Sequence, residues 1–180
     1  MAFGIGITAS RETGSRLRDY WAKFSRFERY PSMAALDHPP HLTLAVYDCI
    51  PERQLSEALG AVFGAHPPVR LRFSKLAFFE TPELVFWAAP DTSKHLLHAH
   101  SAIHELIDPG LCRSHYRPGI WVPHCTLAIQ VSAGKKEEAI ALAAETIVPF
   151  EVIFDKAECV EFYPIRIIEE CCLSMDRSLL

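Results

Sequence analysis

The stretch PHLTLAV at positions 40–46 recurs, almost unchanged, as PHCTLAI at positions 123–129. Five of the seven residues are identical, and valine in the first copy is matched by isoleucine in the second. At ordinary residue frequencies, five such identities arise in roughly one register in 10⁵. The chain therefore contains an internal repeat, and the two copies are offset by 83 residues (position 41 to position 124).

The same offset relates the segments that follow each copy. Each copy of the motif is followed by an apolar helical stripe, then by a strand rich in branched and aromatic residues, then by a second strand. Turn residues Thr81-Pro82-Glu83 and Tyr163-Pro164 mark the two hairpins. The repeat unit is therefore strand, helix, strand, strand. In the first half the motif strand is followed by a helix at 51–63 and by strands at 69–79 and 84–89. In the second half it is followed by a helix at 134–146, a strand that begins at 152 and a strand at 167–172.

Segments outside the repeat complete the predicted fold. An initial strand at 3–8 precedes a helix at 15–30, and an extra helix at 92–107 leads into an irregular loop at 108–123. The sequence predicts an α+β protein with a duplicated bilobal fold, in which two antiparallel sheets face a central cleft and helices lie outside. We expect a single domain over 1–180, with pseudo-repeats at about 38–107 and 121–180.

Strand periodicity sorts the motif residues into two faces. Alternate residues of a strand point to the same side, so His41, Thr43 and Tyr47 share one face of the first copy, with the small Ala45 between them. In the second copy His124, Thr126, Ala128 and Gln130 share a face. An approximate two-fold axis between the halves would bring these faces together and leave room for a ligand beside each alanine.

Two histidines on one cleft are suited to acid–base chemistry on a phosphodiester. The ordinary imidazole pKa lies near 6.5, so one ring can be neutral and the other protonated near physiological pH. The neutral ring can accept a proton from an attacking water or hydroxyl, and the protonated ring can donate one to the leaving oxygen. The hydroxyls of Thr43 and Thr126 can donate hydrogen bonds to the non-bridging oxygens. The sequence does not distinguish which histidine, His41 or His124, is the acid.

Two H-x-T-L motifs about eighty residues apart, in a chain of this size, resemble the two-histidine phosphoesterase superfamily, which includes 2′-5′ RNA ligase-like proteins and cyclic nucleotide phosphodiesterases. The resemblance implies a metal-independent enzyme without cofactors that acts on 2′,3′-cyclic or 2′-5′ phosphodiester bonds. It makes His41 and His124 the catalytic acid and base, and Thr43 and Thr126 phosphate-binding residues. Tyr47-Asp48 departs from many relatives, and Tyr47 is included among the expected substrate-binding residues.

Further candidate residues precede the second motif and occupy the extra helix. Arg117 could pair with a second phosphate and Trp121 could stack on a base, although Trp121 could equally fill the core. His95, His98, His100 and His104 lie on the extra helix, and the one-turn spacing of His100 and His104 is found at metal sites. A polar helical face is the favoured interpretation of this cluster, with a zinc protein as the alternative.

Composition limits the remaining possibilities. The net charge of −4 argues against a long nucleic-acid partner, although basic residues are frequent at 11–29. No leader pattern or long apolar run is present, and the six cysteines include no C-x-x-C. We therefore expect a cytoplasmic monomer that binds a small nucleotide or RNA terminus, with no membrane and no obligate protein partner. Alternative functions are 2′-5′ RNA ligation and a non-catalytic nucleotide- or RNA-binding module.

Overall fold

Seven strands and four α-helices make up the computed structural model, which describes residues 1–80 and 84–174. The expected turn at Thr81-Pro82-Glu83 lies outside the described residues, whereas the second expected turn, at Tyr163-Pro164, connects the last two strands. The strands are β1 (Ala2–Ala9), β2 (His41–Tyr47), β3 (Val69–Phe79), β4 (Val85–Pro90), β5 (Cys125–Ala128), β6 (Phe150–Phe162) and β7 (Arg166–Cys172). The helices are α1 (Ser15–Ser25), α2 (Glu52–Phe63), α3 (Lys94–Leu106) and α4 (Lys136–Ala144), and short 3₁₀ turns occupy Pro109–Leu111, Ser114–Tyr116 and Ala133–Lys135.

All strand pairs are antiparallel, and the α+β class is confirmed. The expectation of two separate sheets needs correction, because the strands form one seven-stranded sheet in the order β2-β1-β6-β3-β4-β5, with β7 also paired to β6. Strand β6 has 13 residues. Its first part pairs with β3 (Phe150 to Phe154) and its remainder pairs with β1 (Phe154 to Phe162). A single long strand therefore joins the part of the sheet that contains β3 to the part that contains β1.

The two sequence repeats are interleaved in this sheet. Strand β2 of the first repeat pairs with β1, which in turn pairs with β6 of the second repeat. Strand β5 of the second repeat pairs with β4 of the first. The two strands that carry the motif, β2 and β5, lie at opposite ends of the hydrogen-bonded order and yet contact each other. The sheet is therefore curved so strongly that its two ends meet.

Helices cover the outside of the sheet with their apolar faces. Helix α1 packs on β5, α4 on β3, and α2 on β6 and β7, while α3 contacts α2 and β2. The predicted stripe of α1 is buried as expected, at Leu17, Tyr20, Trp21 and Phe24. No helix in the described part of the chain is long and apolar enough to cross a membrane.

Helix α1 ends at Ser25, five residues before the predicted end at 30. The reason is a tertiary contact made by Glu28, which is buried and turns toward the end of β5. Its carboxylate accepts hydrogen bonds from the backbone N–H of Ser32 and of Ile129, each at 3.0 Å, and from that of Gln130 at 3.3 Å. The same contact ends β5 at Ala128, because the amides that would continue the strand are bound to a carboxylate.

Candidate functional site

His41 and His124 occupy equivalent positions, at the start of β2 and just before β5. Each imidazole Nδ1 lies close to the backbone carbonyl two residues earlier: that of Pro39 at 3.0 Å and that of Val122 at 2.7 Å. A carbonyl oxygen can only accept, so Nδ1 carries the proton in both rings. The lone pair of Nε2 is therefore free to accept a proton in both histidines, and the repeat reproduces the anchor as well as the residue.

Two tryptophan side chains bind the backbone carbonyl oxygens of the motif threonines. Trp121 Nε1 donates to the carbonyl oxygen of Thr43 at 3.1 Å, and Trp21 Nε1 donates to that of Thr126 at 2.9 Å. The ring of Trp121 is buried and stacks on His100, with ring centroids 4.1 Å apart. The expectation that Trp121 stacks on a base is therefore corrected: of the two interpretations considered for this residue, the core position is the one observed.

A cavity of about 590 Å³ brings most of the motif residues together. This volume is within the usual range for sites that bind small molecules. The cavity is lined by His41, Thr43 and Thr126 and by residues that were not singled out in advance, among them Ser32, Met33, Arg113, Phe162 and Tyr163. Tyr116 and Gln130 also line it. A larger cavity of about 690 Å³ opens beside His38, Arg11 and Arg18, but neither motif threonine lines it.

His124 is not among the residues that line the cavity of about 590 Å³ and is packed against two aromatic rings. The ring centroids of Phe79 and Trp87 lie 5.2 and 5.8 Å from that of the imidazole, and the two aromatic rings stack on each other at 4.9 Å. The sequence offered no signal for this contact, because Phe79 and Trp87 have the pattern of ordinary strand residues there. Phe79 is only partly buried, so its ring is accessible beside His124.

Burial lowers the pKa of both motif histidines. Desolvation, followed by the positive charge of His38, lowers the pKa of His41 to about 4, with a smaller contribution from His124 in the same direction. The hydrogen bond to Pro39 and the negative charge of Glu158 act in the opposite direction. The pKa of His124 is also lowered, mainly by desolvation. Both rings therefore favour the neutral form in the free protein, and a bound phosphate anion would favour protonation of the ring next to it.

Tyr47 lies on the other face of β2 from the one predicted. The pairing of β1 with β2 places Ile5 opposite Ala45 and Gly6 opposite Thr43, so Leu44 is an extra residue in a β-bulge. A bulge reverses the alternation of faces beyond it. Val46 consequently lines the cavity, whereas Tyr47 is fully buried, and desolvation raises the pKa of its hydroxyl. The expected role of Tyr47 in substrate binding is corrected on this ground.

Arg113, and not Arg117, lines the cavity. The guanidinium of Arg117 donates to the carbonyl oxygens of Cys112 at 2.8 Å and Gly110 at 3.0 Å, so it stabilises its own loop. Arg113 Nε donates to Asp48 Oδ1 at 2.9 Å, which orients the side chain while leaving it partly exposed. The expected pairing of Arg117 with a phosphate is therefore corrected, because Arg113 of the same loop lines the cavity.

The histidines of α3 stabilise the loop that precedes the second motif. Nε2 of His100 and Nε2 of His104 both lie within hydrogen-bonding distance of the carbonyl oxygen of Tyr116, at 2.8 and 3.0 Å. Both rings are buried, and desolvation lowers the pKa of each. Across residues 1–80 and 84–174, no group of three or more histidine, cysteine, aspartate or glutamate side chains is arranged to hold a metal ion. The interpretation of this cluster as a polar helical face is therefore corrected for His100 and His104, which are buried, whereas His95 and His98 are exposed.

Comparison with known proteins shows the family and the fold of the chain. The model of the 2′-5′ RNA ligase superfamily matches residues 13–163. Among solved structures, TT0787 of Thermus thermophilus is 20% identical with a TM-score of 0.62, covering 98% of this chain and 100% of the other. Escherichia coli LigT complexed with 3′-AMP is 16% identical with a TM-score of 0.64, covering 95% and 97%. Kluyveromyces marxianus Usb1 is 9% identical with a TM-score of 0.51, covering 93% and 97%. No curated protein sequence matches the chain.

Proposed function

Because the chain belongs to the 2′-5′ RNA ligase superfamily, we propose that it is a metal-independent phosphodiesterase acting on 2′,3′-cyclic phosphates or 2′-5′ phosphodiester bonds of nucleotides or RNA ends. The observation that carries the proposal is the convergence of His41, Thr43 and Thr126 on one cavity. The matching Nδ1 anchors of His41 and His124 support it, since both leave Nε2 as the reactive nitrogen.

In the proposed hydrolysis, one neutral imidazole accepts a proton from water while the water oxygen bonds to phosphorus. The bond from phosphorus to a ribose oxygen breaks, and that oxygen takes a proton from the second imidazole, which is protonated. The hydroxyls of Thr43 and Thr126 donate to the non-bridging oxygens, where negative charge accumulates. Arg113 contributes positive charge at the wall of the cavity. The products are a phosphomonoester and a free ribose hydroxyl.

Ligation of RNA ends is the second candidate, because making and breaking a 2′-5′ linkage use the same groups. The larger cavity favours a substrate longer than a mononucleotide, since Arg11, Arg18 and Lys156 line it beside His38. Asp37 and Asp155 on the same wall offset part of that charge. Incubation with two RNA fragments, one ending in a 2′,3′-cyclic phosphate and the other beginning with a 5′-hydroxyl, distinguishes the two candidates, because ligation gives one longer strand and hydrolysis leaves two fragments.

We also propose that the protein works as a monomer in the cytoplasm, on a small nucleotide or RNA terminus, without cofactor, membrane or obligate protein partner. All six cysteines are free thiols, and Cys112, Cys125 and Cys159 are buried among apolar side chains. This pattern is typical of a reducing compartment.

Hydrolysis of nucleoside 2′,3′-cyclic phosphates and of a 2′-5′ dinucleotide in EDTA tests the proposed function. We expect wild-type turnover to survive the chelator, and His41→Ala and His124→Ala to lose at least about 10²-fold, as is usual when a general acid or base is removed. His98→Ala is the matched control, because His98 is exposed on α3. Ligand binding without turnover of any substrate would instead support the non-catalytic binding module.

A further inference from the structure

A second histidine, His38, lies directly behind His41. The Nδ1 atoms of the two rings are 3.3 Å apart, and the ring centroids are 5.0 Å apart in an edge-to-face arrangement. His38 Nε2 lies 2.6 Å from Oε1 of Glu158, and the side chains of both residues are only 5% exposed. The two atoms are in close polar contact, although the geometry departs from that of a regular hydrogen bond, and the contact is an ion pair only when His38 is protonated. Glu158, His38 and His41 therefore form a continuous polar chain from β6 to the cavity.

The backbone of β1 leaves space for this chain. Gly6 is paired with Thr43 on one side and with Glu158 on the other, so it separates the motif strand from the carboxylate. A small enclosed space is lined by Gly6, His38, His41 and Glu158. A Cβ at Gly6 would lie 3.0 Å from the carbonyl oxygen of Leu42, which is too close for ordinary packing. A side chain at position 6 would therefore clash with the backbone of β2, and glycine avoids this clash.

Glu158 makes no other hydrogen bond or ion pair with the part of the chain that the structure describes. A carboxylate this deeply buried costs free energy unless a donor or an opposite charge compensates it. Lys156, two residues earlier on the same strand, does not compensate it either, because Lys156 pairs with Glu170. Within the described residues, the polar contact that the structure gives the Glu158 carboxylate is the one with His38.

The polar contacts of the two histidines favour one placement of protons. His41 Nδ1 carries its proton, because it faces the carbonyl oxygen of Pro39. The nearby Nδ1 of His38 must then be an acceptor, since two N–H groups would repel each other. The proton of His38 therefore lies on Nε2, toward the carboxylate of Glu158. In this arrangement the lone pair of His41 Nε2 is free to accept a proton at the cavity.

We propose that Glu158 and His38 are positioning residues that fix this tautomer of His41, assign His41 as the general base, and compensate the positive charge that His41 acquires. The inference rests on the proposed phosphodiesterase function. His41 Nε2 takes the proton of the attacking water as the new oxygen–phosphorus bond forms. The ribose oxygen leaves phosphorus and takes a proton from His124, so protons and bonds balance without a further reactant.

The two halves of the molecule differ at this point, which supports unequal roles for the two histidines. The position equivalent to His38 in the second copy is Trp121, which binds the carbonyl oxygen of Thr43. His124 is packed against Phe79 and Trp87, and within the described ranges it forms no ion pair with a carboxylate. A buried carboxylate behind a histidine orients the ring and stabilises its imidazolium in other hydrolases. Within the ranges that the structure describes, only His41 is connected to a buried carboxylate, and the connection runs through His38.

Histidine ring nuclear magnetic resonance on the ¹⁵N-labelled protein tests the inference without requiring turnover. We expect His41 to be in the Nδ1–H form and His38 in the Nε2–H form at pH 7. Glu158→Gln should lower the pH at which His41 titrates by about 0.5 to 1, because the carboxylate raises the pKa of His41. The other titratable groups near His41 are His38 and His124, and Arg113, Tyr116 and Tyr163 around the cavity. None of these is changed in the variant.

Glu170→Gln is the control, because Glu170 lies opposite Glu158 on β7 but is exposed. It should leave the titration of His41 unchanged. An Nε2–H tautomer of His41 in the wild type, or an unchanged titration in Glu158→Gln, would overturn the inference. The wild-type tautomers suffice for this test if Glu158→Gln does not fold.

Kinetics separate this inference from the proposed function. We expect Glu158→Gln and His38→Gln to lower kcat roughly tenfold or more with little change in KM, which is part of the loss expected for His41→Ala. The acid limb of the kcat/KM profile should move to lower pH in Glu158→Gln. Turnover that depends on His41 and His124, but not on Glu158 or His38, would overturn the inference and leave the function intact. Intact tautomers in a protein without turnover would overturn the function alone.

Discussion

At the scale of single residues, the contribution of the hydroxyls of Thr43 and Thr126 to catalysis can be tested without changing the shape of the side chains. Thr43 and Thr126 are half-buried at the cavity, and their backbone carbonyls are bound to indole rings, so their side-chain hydroxyls are free for a ligand. Replacing either with valine keeps the shape and removes the hydroxyl. We expect Thr43→Val and Thr126→Val each to lower kcat/KM by about 10²-fold, the usual loss for one donor to a developing oxyanion.

Steady-state kinetics check this prediction alongside thermal unfolding. The exposed Thr92→Val is the control and should keep wild-type activity. Full activity in both motif variants would remove the threonines from the mechanism.

Two arginines of one loop should have different roles, one in substrate binding and the other in the stability of the loop. Arg113 lines the cavity, so Arg113→Gln should raise KM for phosphorylated substrates about tenfold, as expected for one lost charge-assisted hydrogen bond. Arg117 binds two carbonyl oxygens of its own loop, so Arg117→Gln should lower the melting temperature and change KM little. Kinetics and thermal denaturation of both variants measure the contrast, and a larger KM effect at Arg117 would contradict the assignment.

At the scale of the secondary structure elements, Glu28 connects the end of α1 to the end of β5. Its carboxylate accepts backbone hydrogen bonds from Ser32, Ile129 and Gln130 in a buried setting. Glu28→Ala would leave the amides of Ser32 and Gln130 without this acceptor, whereas the amide of Ile129 also donates to the hydroxyl of Ser32 at 3.2 Å. We expect the free energy of unfolding to fall by about 2 to 4 kcal/mol, since each buried unpaired donor costs about 1 to 3 kcal/mol.

Urea denaturation measures the effect of Glu28→Ala. Glu12→Ala is the control, because Glu12 is exposed just before α1. A change in Glu28→Ala no larger than in this control would mean that other contacts determine where β5 ends.

The buried histidines of helix α3 should lower the free energy of unfolding in mild acid. Burial lowers the pKa of His100 and His104 in the folded state, whereas both rings take up protons near pH 6.5 once unfolded. The unfolded state therefore binds more protons below that pH, and stability decreases as the pH falls. We expect a loss of about 1 kcal/mol per buried histidine, at most, between pH 7 and 5.5.

Urea denaturation at the two pH values measures this loss. His100→Gln should reduce the pH dependence, and His95→Gln should leave it unchanged because His95 is exposed. A free energy of unfolding that is constant from pH 7 to 5.5 would contradict the prediction, because it would mean that these rings take up protons equally in the folded and unfolded states.

At the scale of the whole molecule, the sequence repeat predicted the α+β class, the antiparallel pairing and the equivalent chain positions of His41 and His124, although of the two only His41 lines the cavity of about 590 Å³. Periodicity identified these features because they depend on local alternation and on similarity between the halves. It failed at Tyr47, because the bulge at Leu44 arises from pairing with a strand outside the repeat. It also missed the partner of His41, since His38 and Glu158 are far apart in sequence and meet only when β6 lies beside β1.

The pairing of β6 with both β1 and β3 determines whether one sequence repeat could fold without the other. Strand β6 is encoded in the second repeat but pairs with β1, which precedes the first repeat, and with β3 of the first repeat. A polypeptide containing one repeat alone would have unpaired edges on its motif strand and on its long strand. It could satisfy them by exchanging strands with an identical molecule, as domain-swapped dimers do. Gene duplication would then have joined the two partners of that exchange into one continuous polypeptide.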